Sequence, residues 1–288
     1  MITANTKVCC LIGDPVDHSL SPLIHNAAYE QLALDFIYLA FNVPPQMLSK
    51  AINGLQAIGF KGANITMPHK VDVIKLLDEV DIETREIGAV NTIVNSDGSL
   101  KGYNTDGTAA VDALKTVGVQ LSGIKLAVLG AGGAARAICF AAAQEYPSQL
   151  LVVNREEQKA IVLVEKIENK FGITTKHLPL RSNLLKRDLA EADVVINATS
   201  VGMNPDTEEF VISPRLLKRN AVLMDIVYNP LETRLLTEAK HLGLRTVNGL
   251  HMLVNQAAKA FEMWTGIKAP SKLMMARALE ALQDRRVR

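Results

Sequence analysis

Short, continuous apolar runs alternate with stretches of helical periodicity along nearly the whole chain, the pattern of βαβ units wrapped on a parallel sheet. KVCCLIG at 7–13 predicts a buried strand, and SPLIHNAAYEQL after it predicts a helix with Ser21 as N-cap and Pro22 at the first helical position. FIYLAFNV predicts a second strand that Pro44 and Pro45 end, and a helix follows from about Met47 to Ile58, stopping near Gly59. ANITMP (63–68) predicts a third strand, followed by a helix through Leu77. AVNTIVNSDGSLKGYNTD predicts two short strands joined at Asp97-Gly98, a strong hairpin signal.

From Lys125 the texture changes. A helix over about Thr105–Val117, capped by Thr105 or Asp106, leads into KLAVLGAGGAARAICFAAA, which predicts a strand, a glycine-rich turn and an alanine-rich helix. QLLVVNR, ADVVINAT and AVLMDIVY supply further strands, and everything from Gly249 onward is helical in pattern. The expected fold class is α/β with two domains. Residues 1–104 plus 250–288 form a discontinuous substrate and catalytic domain, mixed α/β and completed by the C-terminal helices; residues 105–249 form a Rossmann-like doubly wound domain for a nucleotide. No solenoid repeat or low-complexity segment interrupts the pattern.

Composition narrows the class. The chain has 288 residues, with 48% hydrophobic, 21% charged and 5% aromatic positions, enough apolar side chain for a large core. Thirty-one Lys and Arg against 30 Asp and Glu give a formal charge of +1, with no electrostatic footprint for nucleic acid or a membrane surface. Cys9 and Cys10 are adjacent and Cys139 leaves the count odd, so no disulfide framework is expected. The histidines have no helical metal-ligand spacing and no C-x-x-C pair accompanies them; no metal is expected. The N-terminus shows no long apolar region with a cleavage site, and 126–143, rich in Gly and Ala and carrying Arg136, reads as strand, turn and helix rather than a span. The expectation is a cytoplasmic protein, with a homodimer as the assembly to look for.

Gly130-Ala131-Gly132-Gly133-Ala134-Ala135 follows a predicted strand and opens a predicted helix, matching G-x-G-x-x-(G/A). Such glycines let the backbone approach a pyrophosphate where helix N–H groups and the dipole favour an anion. At the end of the next strand Asn154-Arg155 stands where an NAD site usually has Asp or Glu. Arg155, with Lys159 a turn later, favours the 2′-phosphate of NADP(H), against which Glu156 and Glu157 act. A hydride carrier needs a partner that moves a proton. Lys70, at a strand-to-helix turn, and Asp106, at a helix start, are the candidate pair. Read singly, Lys70 is a solvated helix residue and Asp106 a cap.

Matches in order over essentially the whole chain resemble the shikimate dehydrogenase family: Gly13 to Pro22, Asn64 to Lys70, Gly88 to Thr92, Tyr103 to Gly107, Gly130 to Arg136, Asn154-Arg155, Asn197 to Met203, Asp225 to Pro230, Asn248-Gly249 and Gln256. The resemblance implies an NADP-dependent oxidoreductase acting on a CH–OH group, interconverting 3-dehydroshikimate and shikimate on the route to chorismate and aromatic amino acids. It implies Lys70 and Asp106 as the catalytic pair and Ser19 and Ser21 on the substrate carboxylate. Thr66, Asn91 and Gln256 would read the ring hydroxyls, with Tyr228 beside the substrate. It implies Gly130, Ala131, Gly132, Gly133, Ala134, Asn154, Arg155, Lys159, Thr199, Ile226 and Gly249 around the cofactor. Two other readings compete: a quinate/shikimate dehydrogenase of broader substrate or NAD use, and a non-catalytic ligand-binding regulator. His18, His25 and His69 are expected to line the cleft or the helix surface, Met252, Met274 and Met275 to pack in the core, and Arg285, Arg286 and Arg288 to form a solvated basic end.

Overall fold

The computed structural model describes residues 2–287, with side chains as far as 284. The basic end at Arg285, Arg286 and Arg288 lies outside the described side chains. The chain divides into two compact units: one gathers residues up to Thr105 together with those from Val254 onward, the other runs Asp106–Leu253.

The first unit contains β1 (Lys7–Gly13), α1 (Ser21–Gln31), β2 (Phe36–Asn42), α2 (Leu48–Ala57), β3 (Gly62–Ile65), β4 (Glu79–Val80), α3 (Ile82–Ile87), β5 (Thr92–Ser96) and β6 (Ser99–Tyr103). Its sheet runs β2-β1-β3-β5-β6-β4. β1 pairs in parallel with β2 and β3, whereas β5 pairs antiparallel with β3 and β6. At the β5–β6 hairpin Asp97 and Gly98 both take positive φ, 52° and 92°, as a two-residue primed turn requires. On one face α2 covers a core of Ile12, Ile52, Ile65, Val73, Val90 and Ile93.

The tail returns to this sheet. Trp264, on α9 (Gly249–Thr265), donates its indole N–H to the Ile93 carbonyl at 2.9 Å. A Cβ on Gly62 would lie 2.2 Å from that indole nitrogen, so only glycine lets the ring reach the strand. α10 (Ser271–Val287) packs on α1.

The second unit holds α4 (Asp106–Thr116), β7 (Lys125–Leu129), α5 (Gly133–Ala143), β8 (Gln149–Asn154), α6 (Glu157–Phe171), β9 (Thr175–Pro179), α7 (Leu185–Glu191), β10 (Val194–Asn197), β11 (Val222–Asp225), α8 (Arg234–His241) and β12 (Arg245–Val247). Its all-parallel sheet runs β12-β11-β10-β7-β8-β9, so the strand order reverses between β7 and β10. That is the doubly wound arrangement, with its switch point at the carboxyl ends of β7 and β10.

Three local expectations are corrected. α1 begins at Ser21 with Leu20 as its N-cap in a helical conformation and no side-chain cap, and the Ser21 N–H donates to Ser19 Oγ at 3.2 Å in a local turn ahead of the helix. The segment after β3 forms only a 3-10 turn, Asp72–Leu76, because the chain is drawn onto the sheet two residues later, where the Asp78 N–H donates to the Leu100 carbonyl at 3.1 Å. His25 and His69 are core residues rather than cleft-lining or surface ones: His69 Nε2 lies 2.6 Å from the Val43 carbonyl, and His25 sits among Tyr29, Tyr38, Phe261 and Trp264.

Candidate active site

In the first unit the predicted substrate residues come from loops at the carboxyl ends of β1 and β3 and the start of β5. The Thr66 N–H donates to Ile12 O at 2.9 Å and the Asp14 N–H to Met67 O at 3.0 Å, stitching the loop after β1 to the segment leading to Lys70. A Cβ on Gly13 would lie 2.2 Å from Thr66 Cγ2, so the two loops meet backbone to side chain. The other flank is pinned by Val90 N–H to Lys70 O at 2.7 Å and Ile65 N–H to Asn91 O at 2.8 Å. Thr66 and Lys70 are thus held between the loop that carries Ser19 and Ser21 and the loop that carries Asn91.

Asn91 is buried. Its Oδ1 accepts from the Thr105 N–H at 2.8 Å and its Nδ2 donates to Thr105 Oγ1 at 2.9 Å. Thr105 Oγ1 lies 3.3 Å from the Gln256 carbonyl, which attaches the predicted residues of β5 and α9 to one point. The structure therefore groups Ser19, Ser21, Thr66, Lys70, Asn91 and Gln256 within this unit. Asn64, Thr92 and Thr105 are the residues that sequence reasoning missed. A buried Asn inside β3 was the available signal, since Asn is depleted in strands and a buried amide needs partners.

In the second unit Asp106 opens α4 and is 3% exposed. The glycine turn lies at the switch point. Gly130 has φ +116°, and a Cβ there would stand 3.0 Å from Ala198 O and 3.3 Å from Thr199 Cγ2, so the turn after β7 abuts the loop after β10. α5 starts with Gly132 as an N-cap that has no capping side chain, no acidic residue in the first turn, and open space where a Cβ would be. Ala131, Gly133 and Ala134 complete this approach. A diphosphate fits such a helix start, whose first N–H groups have no intrahelical partner.

The loops after β10 and β11 are built on a buried carboxylate. Asp225 accepts from Asn197 Nδ2 at 2.9 Å, the Val227 N–H at 3.1 Å and Thr233 Oγ1 at 2.7 Å. Asn197 Oδ1 in turn accepts from the Thr199 hydroxyl at 2.7 Å and its N–H at 3.1 Å. Burial outweighs these donors and raises the Asp225 pKa to about 6. Gly249 brings the start of α9 onto the same loop: a Cβ would lie 2.2 Å from the Ile226 carbonyl oxygen. Thr199, Ile226 and Gly249 are thereby placed around one loop cluster, and Tyr228 follows two residues after Ile226.

At the end of β8, Asn154 Nδ2 donates to the Glu156 carbonyl at 2.9 Å, and Arg155 is exposed. Lys159 is exposed too, and its ammonium is 2.7 Å from Glu156 Oε1. The last position of β8 is Asn154 rather than a carboxylate, so the residues fit a nucleotide with a 2′-phosphate, with Glu156 an opposing charge in contact with a predicted cation. Among the described residues no group of three or more His, Cys, Asp or Glu is arranged to hold a metal ion, and no helix is long and apolar enough to cross a membrane.

Comparison with known proteins covers both units. The family model for the shikimate dehydrogenase substrate binding domain matches residues 11–93, that for shikimate / quinate 5-dehydrogenase matches 112–248, and that for the shikimate 5′-dehydrogenase C-terminal domain matches 249–279. The shikimate dehydrogenase (NADP(+)) of Thermococcus kodakarensis is 46% identical over 284 residues, covering 99% of this chain and all of that protein. A crystal structure of a shikimate dehydrogenase in complex with NADP+ superposes with a TM-score of 0.90 at 41% identity, covering 98% of both chains. A shikimate 5-dehydrogenase of Thermus thermophilus, in complex with NADP(H) and shikimate, gives 0.85 at 37% identity, covering 96% of this chain and 99% of that one.

Proposed function

The chain belongs to the shikimate dehydrogenase family, and from that premise we propose that Lys70 and Asp106 move the proton of its reaction while the groups around Asn91 hold the substrate. The protein is an NADP-dependent oxidoreductase acting on a CH–OH group, and it interconverts 3-dehydroshikimate and shikimate on the route to chorismate and the aromatic amino acids. NADPH supplies the hydride that reduces the C3 carbonyl. In our reading Lys70, as ammonium, donates a proton to the developing C3 alkoxide, and Asp106 orients that ammonium and the substrate hydroxyl. In the oxidation direction Lys70 takes the proton back.

Ser19 and Ser21 bind the carboxylate: one hydroxyl sits just before α1 and the other on its first residue, where dipole and N–H groups both favour an anion. Thr66, Asn91 and Gln256 read the hydroxyls through neutral groups, with Tyr228 beside them. The glycine turn, Ile226, Thr199 and Gly249 hold the nucleotide, with Asn154, Arg155 and Lys159 at its 2′-phosphate. The free, buried thiols Cys9, Cys10 and Cys139 suit the cytoplasmic location we assign.

The observation that carries the catalytic assignment is the fixed lodging of both residues: Lys70 is pinned by its carbonyl to Val90, and Asp106 is a buried acid at a helix start. Lys70→Ala is expected to lower turnover about 10²–10⁴-fold, the scale of general acid catalysis, with a smaller change in shikimate binding. NADPH absorbance during shikimate oxidation measures it. Wild-type turnover in the variant would remove Lys70 from the role.

A further inference from the structure

The N-terminus of a helix carries positive partial charge, so acids are favoured in its first turn and cations are not. α5 has no acidic residue there, and Arg136 closes that turn, its N–H donating to the Gly132 carbonyl at 2.9 Å. Helix side chains lean toward the N-terminus, so Arg136 lies back over the segment between β7 and α5. Its Nε donates to the Ala131 carbonyl, just ahead of the helix, at 3.4 Å, which sets the guanidinium beside the glycine turn. Arg136 is half-buried, and among the described residues no carboxylate pairs with it. With Nε engaged, the planar group still offers the N–H donors of its two terminal nitrogens.

A cation partly withdrawn from water, at the positive end of a helix and without a carboxylate, stands in an unfavourable place until an anion joins it. The surroundings say which anion. Gly132 leaves open space where a Cβ would stand, and the first N–H groups of α5 have no intrahelical partner. NADP(H) is negative at two separate places, the diphosphate and the 2′-phosphate. Arg155 and Lys159, which follow β8, are the cations for the second; Arg136, which follows β7, is the cation beside the seat of the first.

We propose that Arg136 is a cofactor-binding residue whose guanidinium pairs with the diphosphate seated on the glycine turn. This rests on the reading of that turn as the diphosphate seat. Because NADP(H) and NAD(H) share the diphosphate, Arg136 adds affinity for both and discriminates between neither, whereas Arg155 and Lys159 act on NADP(H) alone.

The test is calorimetric titration with NADP+ and with NAD+, beside thermal unfolding of the nucleotide-free protein, on Arg136→Met, Arg136→Lys and Gly132→Ala. Arg136→Met keeps the apolar stem and removes the charge. It is expected to weaken both nucleotides by the same factor, about ten- to one-hundred-fold, the scale of a hydrogen bond between charged groups. Arg136→Lys keeps the charge without the planar fork and is expected to lose less. Nucleotide-free Arg136→Met should melt no lower than the wild type, since it takes a cation away from the positive end of a helix. Gly132→Ala places a methyl in the open space and is expected to weaken both nucleotides while leaving the melting temperature of the free protein unchanged. If Gly132→Ala weakens both and Arg136→Met neither, the role of Arg136 is wrong and the diphosphate seat stands. If Gly132→Ala binds both as the wild type does, the seat itself is wrong and the proposal falls with it. A loss confined to NADP+ would place Arg136 at the 2′-phosphate. That result, an Arg136→Lys as weak as Arg136→Met, or a free Arg136→Met that melts lower than the wild type would each overturn the proposal.

Discussion

Glu156 holds the ammonium of Lys159, the cation proposed above for the 2′-phosphate of NADP(H). The pair is 2.7 Å apart and both side chains are more than half exposed, so the contact is weak and a phosphate can displace it. The carboxylate still repels that phosphate and leaves NAD untouched. Glu156→Gln is therefore expected to tighten NADP+ about two- to five-fold, the range of an exposed charge interaction, and to change NAD+ little. Calorimetric titration with both nucleotides checks this; an unchanged ratio would place the 2′-phosphate elsewhere. At this scale the sequence was informative where chemistry follows from residue type. Arg155 and Lys159 stand out beside a glycine turn, but their neighbour's choice of partner does not. Asp225 was invisible as a buried carboxylate for a related reason. Its side-chain donors, Asn197 and Thr233, lie on other elements, and only the folded chain brings both of them to one acid.

At the scale of elements, α4 and α5 meet backbone to backbone. A Cβ on Gly107 would lie 2.2 Å from the Ala137 carbonyl oxygen and 3.0 Å from Ala141 Cβ, and the oxygen belongs to a rigid helix. Gly107→Ala must push α4 away from α5, at a cost of about 1–3 kcal/mol for overpacking, and it carries the adjacent Asp106 with it. Denaturant unfolding should show the loss and turnover should fall with it; a stable variant with normal turnover would mean that α4 repacks without moving the acid. Interior strands were legible because both of their faces are covered. β7, β8, β10 and β11 are almost wholly buried and read as apolar runs. The outer strands β9 and β12 carry one buried residue each, present polar sequences TKHLP and RTV, and escaped notice. β4 and α3 escaped for the simpler reason of length, two and six residues.

At the scale of the whole molecule, each unit buries a group whose titration lies on the acid side of neutrality, and the two respond to pH in opposite senses. His25, in the first unit, is enclosed by aromatic rings with neither ring nitrogen hydrogen-bonded, and burial pushes its pKa down from 6.5 to about 3. The unfolded chain then binds the proton more readily than the folded one between those values, so this group makes stability rise with pH up to about 6.5. Asp225, in the second unit, is raised from 3.8 to about 6, so the folded form holds the proton longer and stability falls as pH rises through that interval. Where the two windows overlap, between about 4 and 6, each contributes up to about 1.4 kcal/mol per pH unit with opposite sign, and the wild-type profile hides both. Substitution separates them. His25→Phe keeps the ring stack and removes a proton site that only the unfolded chain uses, so its stability should climb less steeply with pH than the wild type's. Asp225→Asn keeps an oxygen for Asn197 and Val227 and lets Thr233 accept, so its stability should climb more steeply. Urea unfolding at several pH values across that window compares the three slopes. Parallel slopes would mean that neither group is held in the protonation state its burial imposes; a change in only one variant would leave the other group exposed to solvent through motion of its own unit.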